Sequence, residues 1–355
     1  MPSPNGRKCG NVAVSESKGS GYVQIFAEIV PIDKTQRTLN NKRTMQPFLL
    51  VSYGAPERQE DVVPFLHNLF AGKHVPAERI AAAVQKYERF AAKTGHYSPL
   101  NAECRKLIAG VRQEWQQTGQ DPPPIYWGNL FWHPLLVDTV AEMAQDGIEH
   151  AVCFATSAFD SPPGNQRYAD ALESARQVVG KDAPVLEKLP LPFDHPLFIE
   201  AQTDRLRETA DGGGETAAEG NFSTRILFSA HSIPLTDVVR CSYVEQLQSA
   251  CRKVIAQSGT SIPWELVYQS RSGAAEHWLG PGIKERIREL AAEQCRSVIV
   301  SPIGFFCENM ETEYDLDVEV GEYCAELGFS FVRSKAVGAM PNVCRLIVEL
   351  MKTHQ

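Results

Sequence analysis

The chain has 355 residues, more than one hydrophobic core usually organises, so one large or two medium α/β domains are expected. Hydrophobic residues make up 43% and charged residues 22%, the composition of a globular protein and not of a disordered one. A formal net charge of −8 argues against nucleic acid as the main partner, because phosphate binding relies on a basic face.

Residues 1–46 are rich in Ser, Gly, Asn, Thr and Lys, with one apolar patch at 22–31 that is too short for a core. A disordered extension is expected there, with a targeting segment as its rival. Met45 stands just before the first strand-like run and is an alternative start to Met1. From Phe48 onward, short apolar runs alternate with longer amphipathic stretches, the pattern of parallel sheets with crossover helices. Strands are predicted at 48–52, 125–128, 151–155, 185–189, 225–229, 265–268, 297–301 and 329–332. Helices are predicted at 79–90, 102–116, 135–146, 166–179, 244–257 and 283–293, and the Gly- and Glu-rich stretch 211–220 reads as a surface loop.

The chain reads as two related halves. Leu49-Leu-Val-Ser-Tyr53-Gly-Ala-Pro56 and Ile226-Leu-Phe-Ser-Ala-His231-Ser-Ile-Pro234 are both an apolar strand running into a polar turn. Residues 148–157 and 295–304 echo each other in the same way. Two Rossmann-like domains facing each other across a cleft would follow, with ligands at the C-terminal ends of the strands. The expected division is 47–185 with a C-terminal helix 336–355 for the first domain, and 186–335 for the second.

Nine cysteines (Cys9, Cys104, Cys153, Cys241, Cys251, Cys295, Cys307, Cys324 and Cys344) are dispersed with no C-x-x-C pair, as suits reduced thiols in a cytosol. No apolar run approaches the roughly 20 residues of a membrane helix, and no signal-peptide pattern opens the chain. A cytoplasmic protein without a transmembrane segment is expected.

His231 lies just past a buried strand, where open α/β sheets place ligand groups, and a His can carry a proton or ligate a metal. A hydrogen-bonded structural His at a turn is the plainer reading. Glu308, Glu311, Asp315 and Glu319 are spaced by three, four and four; on a helix their carboxylates line one face. That row is either a solvated acidic face or a line of hard oxygen ligands passing a divalent cation, or protons, to a buried site. No phosphate-binding glycine loop, G-x-S-x-G elbow or H-E-x-x-H helix is present. Tyr53, Tyr87, Tyr97, Ser98, Tyr126 and Tyr168 add aromatic and hydroxyl groups that are more often core or rim.

Taken together, Ser52-Tyr53-Gly-Ala-Pro, Tyr97-Ser98-Pro-Leu, Phe228-Ser-Ala-His231-Ser-Ile-Pro, Tyr268-Gln-Ser-Arg-Ser-Gly…Trp278-Leu-Gly-Pro and Gly304-Phe…Glu311-Thr-Glu-Tyr-Asp315 resemble the ferrochelatase family, in order and spacing, from Phe48 to the C-terminus. The resemblance implies two Rossmann-like domains around a porphyrin cleft, and insertion of ferrous iron into the porphyrin. It implies catalysis by His231 and Glu311 facing each other across the macrocycle centre, with Tyr53 as a further metal ligand. Tyr53 looks like the first-turn Tyr of the coproporphyrin III branch, which favours that substrate over protoporphyrin IX. Lys86, Tyr87, Ser98 and Tyr168 resemble positions that contact the tetrapyrrole or its propionates, and Asp315 and Glu319 look like an acidic continuation of the site.

Three departures stand out. The family's basic pair would fall at Phe70 and Ala71, which leaves Lys73 as the nearest cation; Asn309 replaces a His; and Cys324, Cys344 and Asn165 do not match the cluster ligands of some relatives. No iron–sulfur cluster and no tightly bound cofactor are therefore expected, with iron as substrate. A monomer in transient contact with neighbouring haem-pathway enzymes is expected. The rivals are a sirohydrochlorin-type chelatase and a non-catalytic haem or porphyrin carrier, which would need an axial ligand but no opposing base.

Overall fold

The computed structural model describes residues 46–212, 223–271 and 277–354. The expected disordered extension, apart from Gln46, lies outside them, as do Met45 and most of the predicted loop at 211–220. The first half runs β1 (Phe48–Ser52), α1 (Gln59–Leu69), α2 (Ala77–Thr94), α3 (Leu100–Gln116), β2 (Ile125–Asn129), α4 (Leu136–Gln145), β3 (His150–Ala155), α5 (Arg167–Val179) and β4 (Val185–Lys188). The second runs α6 (Pro196–Gly212), β5 (Ser223–His231), α7 (Leu235–Val238), α8 (Tyr243–Ser258), β6 (Trp264–Gln269), α9 (Ile283–Ala292), β7 (Cys295–Ser301), a π-helix (Glu311–Val320), α10 (Gly321–Glu326), β8 (Ser330–Arg333) and α11 (Pro341–Thr353).

The strands form two four-stranded parallel sheets of the same topology, β2-β1-β3-β4 and β6-β5-β7-β8. β1 and β5 hold equivalent places in their sheets, and so do β3 and β7, which is the pairing that the internal echoes of the sequence predict.

Every residue of β1 is buried, as expected for a strand covered on both faces. Side chains alternate between the faces of a strand, so Leu49 and Val51 pack with Leu136, Val140 and Leu172, while Phe48 and Leu50 pack with Leu107, Val111 and Trp115. β5 repeats the division: Leu227 packs with Ile283 and Ile287, while Ile226 and Phe228 point the other way. The inner faces of both sheets share one core, which α6, α8 and α11 complete. Phe306 joins the halves, stacked on Phe198 at 6.3 Å and edge-on to Phe154 at 5.3 Å. The C-terminal helix α11 lies against α3 and also against α6.

Among the described residues, no helix is long and apolar enough to cross a membrane. The described cysteines are free thiols, most of them buried.

Candidate active site

Parallel sheets end their strands at one edge, and here the edges of the two halves face a common cavity of about 700 Å³. The first half lines it with Tyr53, Thr156 and Tyr168, the second with His231, Trp278 and Glu311.

His231 is the last residue of β5. Its Nδ1–H donates to the Ser232 carbonyl, which fixes the ring so that Nε2 points at Glu311, 3.5 Å from Oε1. The Tyr243 hydroxyl donates to the His231 carbonyl at 3.1 Å and steadies the strand end. Glu311 opens the π-helix, whose start is capped by Asn309: its Oδ1 accepts from the Glu311 and Thr312 N–H groups at 2.7 and 3.1 Å. Gln269, at the end of β6, donates to the Glu311 carbonyl at 3.0 Å. Glu311 is thus held from both ends of its residue by groups on two different segments.

Burial works to lower the His231 pKa, but the charge and hydrogen bond of Glu311, with the Ser232 carbonyl and Asp315, outweigh it and raise the pKa to about 9. Burial works to raise that of Glu311, and the His231 and Lys86 charges overcome it and hold the carboxyl below its ordinary range. The pair is an imidazolium beside a carboxylate at neutral pH.

The 3.5 Å separation corrects one expectation. Two groups on opposite sides of a macrocycle must be about 7 Å apart, twice a van der Waals contact of ~3.5 Å. His231 and Glu311 touch, so both address the same face of any plate in the cleft.

Tyr53 follows β1 as His231 ends β5. Its hydroxyl donates to the Pro163 carbonyl, and its ring packs edge-on to Tyr168 at 5.6 Å and tilted against Phe131 at 5.2 Å. Burial raises its pKa, with Glu311 adding to the rise and Arg167 opposing it, so the phenol is neutral at physiological pH. Gly54 lets the chain turn away behind it: its φ is +73°, and a β-carbon there would lie 2.8 Å from Asn129 Cβ. Gly304 does the corresponding work in the second half, where a β-carbon would lie 2.5 Å from Ala230 Cβ, beside His231.

Tyr87, Ser98 and Tyr168 also line the cavity. Ser98 Oγ accepts from the Leu100 N–H at 3.3 Å at the start of α3, and Tyr168 Oη lies 3.1 Å from Thr156 Oγ1. Lys86, Asp315 and Glu319 are not on its wall. Lys86 Nζ donates to Asp315 Oδ1 at 2.6 Å and lies 4.9 Å above the Tyr314 ring. Ser270 donates to the other oxygen of Asp315. Glu319 pairs with Lys284 at 3.4 Å, farther along the π-helix. Tyr126 faces elsewhere, donating to Asp146 at 2.7 Å.

Glu308 does not belong to the acidic row read from its spacing. It is buried, and its Oε1 accepts from Arg333 at 2.9 Å and from the Ala336 N–H at 2.6 Å, while Oε2 accepts from Thr312 Oγ1 at 2.7 Å. It precedes the π-helix, so helical spacing does not apply to it.

Sequence reasoning missed Arg79, Arg167, Gln269 and Trp278. Only the last two sit in motifs that could have drawn notice, Tyr268-Gln269 and Trp278-Leu-Gly-Pro.

Two parallel sheets with a cleft between their C-terminal edges define the chelatase type of two-domain fold. The solved structure of SirB from Bacillus subtilis with Fe3+ shares it, with a TM-score of 0.50 at 11% identity over 87% of this chain and 94% of that one. The family model for ferrochelatase matches residues 46–355, and the chain belongs to the ferrochelatase family. A ferrochelatase from Rhodopirellula baltica is 39% identical over 307 residues, 86% of this chain and 85% of that protein. The coproporphyrin III ferrochelatase of Nocardia farcinica is 40% identical over 319 residues, 87% and 88% of the two chains. That of Mycolicibacterium smegmatis is 38% identical over 307 residues, 85% and 88%.

Proposed function

We propose that this ferrochelatase inserts ferrous iron into coproporphyrin III, with His231 and Glu311 as its catalytic pair. The observation that carries this reading is the ion pair at 3.5 Å on the cleft wall: a proton acceptor and an oxygen ligand presented together to one face of a bound macrocycle.

Metallation removes two pyrrolic protons and exchanges the water ligands of a dication for four nitrogens. Before iron arrives, the imidazolium and carboxylate neutralise each other. An approaching dication competes for Glu311 and repels the imidazolium proton, so His231 is converted to the neutral base that can ligate the metal or take a pyrrolic proton. Asp315 lies next along the π-helix, and its pKa is raised by burial, with Lys86 opposing and Glu311 adding to the rise. A carboxyl held that way can take up a proton and give it back, and Glu319 continues the row outward. Tyr53, from the other half, would offer its phenolic oxygen to the metal, while Tyr87, Ser98 and Tyr168 shape the wall against the tetrapyrrole. Lys86 acts by keeping Asp315 in place.

Tyr53 supports coproporphyrin III as the substrate, and so do relatives of that name at 38–40% identity. The pairing of a base with a carboxylate favours an enzyme over a carrier. Free, buried thiols support a reducing compartment such as the cytoplasm, and a monomer is the simplest state. Steady-state anaerobic metallation with ferrous iron tests the substrate: faster multiple turnover with coproporphyrin III than with protoporphyrin IX is expected, and the reverse order would overturn the choice.

A further inference from the structure

The two halves meet beside the cleft at a polar seam. Past β3 the first half reaches Phe159 and Asp160, and both meet the start of α8 in the second half. Ser242, at the N-cap position of α8, makes no side-chain cap bond of its own, and the first N–H groups of a helix have no partner within it. Asp160 supplies an acceptor from the other half. Its Oδ2 accepts from the Ser242 N–H at 3.2 Å, and its own N–H donates to Oε1 of Gln246, one turn into α8, at 2.7 Å. A carboxylate at that end of a 16-residue helix also meets the positive end of the helix dipole. Oδ1 accepts from Asn165 Nδ2 at 3.0 Å, which holds the carboxylate in place.

Both sides of the seam lead to the site. Asn165 belongs to the turn Pro162–Gln166, where the Pro163 carbonyl accepts the Tyr53 hydroxyl. Tyr243 follows Ser242; its hydroxyl donates to the His231 carbonyl, and its ring meets Phe159 edge-on at 6.4 Å. Asp160 thus stands between the turn that holds Tyr53 and the helix start that holds His231. A misplacement of ~1 Å between groups that act together on a substrate can lower a rate about 100-fold. We propose that Asp160 is a positioning residue for metal insertion: a helix cap supplied from one half to the other, which sets the His231 wall of the cleft at its distance from the Tyr53 wall. This rests on the porphyrin reading of the cleft. The same geometry decides which substitution is tolerated. Asn caps a helix as well as Asp does. In Asp160→Asn the amide oxygen can still accept from Ser242, and its NH2 group can donate to Asn165 Oδ1, a buried atom that has no hydrogen-bond partner in the wild type, once the Asn165 amide turns over. Asp160→Ala loses both bonds.

The test compares the wild-type full chain with Asp160→Ala, Asp160→Asn, Gln246→Leu, Tyr243→Phe and the double variant Asp160→Ala/Tyr243→Phe. Coproporphyrin III affinity is read by fluorescence quenching, and anaerobic insertion of ferrous iron into the bound porphyrin by stopped-flow absorbance. Asp160→Ala should slow insertion about tenfold with Kd within about threefold, Gln246→Leu should slow it less, and Asp160→Asn should stay within about twofold of the wild type. In the Tyr243→Phe background, Asp160→Ala should cost no more than about twofold, because the two residues act along one path. Amide hydrogen exchange needs no turnover: residues 231–234 and 242–246 should exchange about tenfold faster in Asp160→Ala, and as in the wild type in Asp160→Asn. Wild-type insertion rates in both Asp160→Ala and Gln246→Leu would overturn the proposal. So would a loss in Asp160→Asn as large as that in Asp160→Ala, or fully additive losses in the double variant. Absence of insertion in the wild type would instead overturn the enzymatic reading, and the exchange data would still decide the seam.

Discussion

At the scale of single residues, the account rests on His231 and Glu311. His231→Ala should lower kcat by on the order of 10²- to 10⁴-fold, the usual contribution of a positioned acid–base group, with porphyrin affinity little changed. The pH dependence has a definite sign. Glu311 is the main reason the His231 pKa stands near 9, because burial alone lowers it. In Glu311→Gln the imidazole should therefore titrate at or below its ordinary value of about 6.5, as read by NMR of the histidine ring in the iron-free protein. A titration still near 9 would show that another group holds the proton. The same raised value means that the ion pair's contribution to stability is complete from about pH 6.5 down to the acid range in which Glu311 takes up a proton, and is lost as pH rises through about 9. The positions of His231, Glu311 and Tyr53 were legible in the sequence because each lies in a turn or helix start after an apolar strand. Their mutual distance was not, since it depends on how two segments distant in sequence meet. Arg79 and Arg167 gave no signal at all, because an unpaired charge looks like a paired one until the fold shows its neighbours.

At the scale of elements, the predicted strands match the observed ones to within two residues at their ends, since a buried parallel strand is an unbroken apolar run. Four helices, α1, α6 and the short α7 and α10, were not predicted. α1 contains Pro64, a residue that disfavours a helix interior, and α6 spreads buried residues such as Phe198, Ala201, Gln202 and Leu206 around its circumference because α8 and α11 both cover it. The π-helix widens the turn that carries Glu311 and Asp315, and the buried ion pair before it secures its start. Burial opposes the ionisation of Glu308, and Arg333 more than compensates, so the Glu308 pKa is lowered. The stabilisation is present above the ordinary carboxyl value and is lost as pH falls through the lowered one. Glu308→Ala should cost about 3–5 kcal/mol at pH 7, the loss expected when one partner of a buried pair is removed, and the gap should narrow in acid. Denaturant unfolding at pH 7 and below pH 4 measures both; an unchanged midpoint at pH 7 would remove the anchoring role. Gly304→Ala should displace the loop from β5 and lower metallation more than porphyrin binding, because its β-carbon would strike Ala230 one residue before His231.

At the scale of the whole molecule, the two halves repeat one topology, yet their inner faces share a single core. The repeat was legible from paired strand-and-turn segments, whereas the shared core depends on Phe306 and α11 reaching across. A cleft held between halves joined in this way presents Tyr53 from one side and the His231–Glu311 pair from the other without requiring the halves to move as separate bodies. The most direct measurement is single-turnover stopped-flow absorbance: porphyrin-loaded wild-type and His231→Ala proteins are each mixed anaerobically with ferrous iron. The account predicts rapid conversion to the iron porphyrin in the wild type and persistence of the bound free-base spectrum in the variant. Conversion at the wild-type rate in His231→Ala would contradict it.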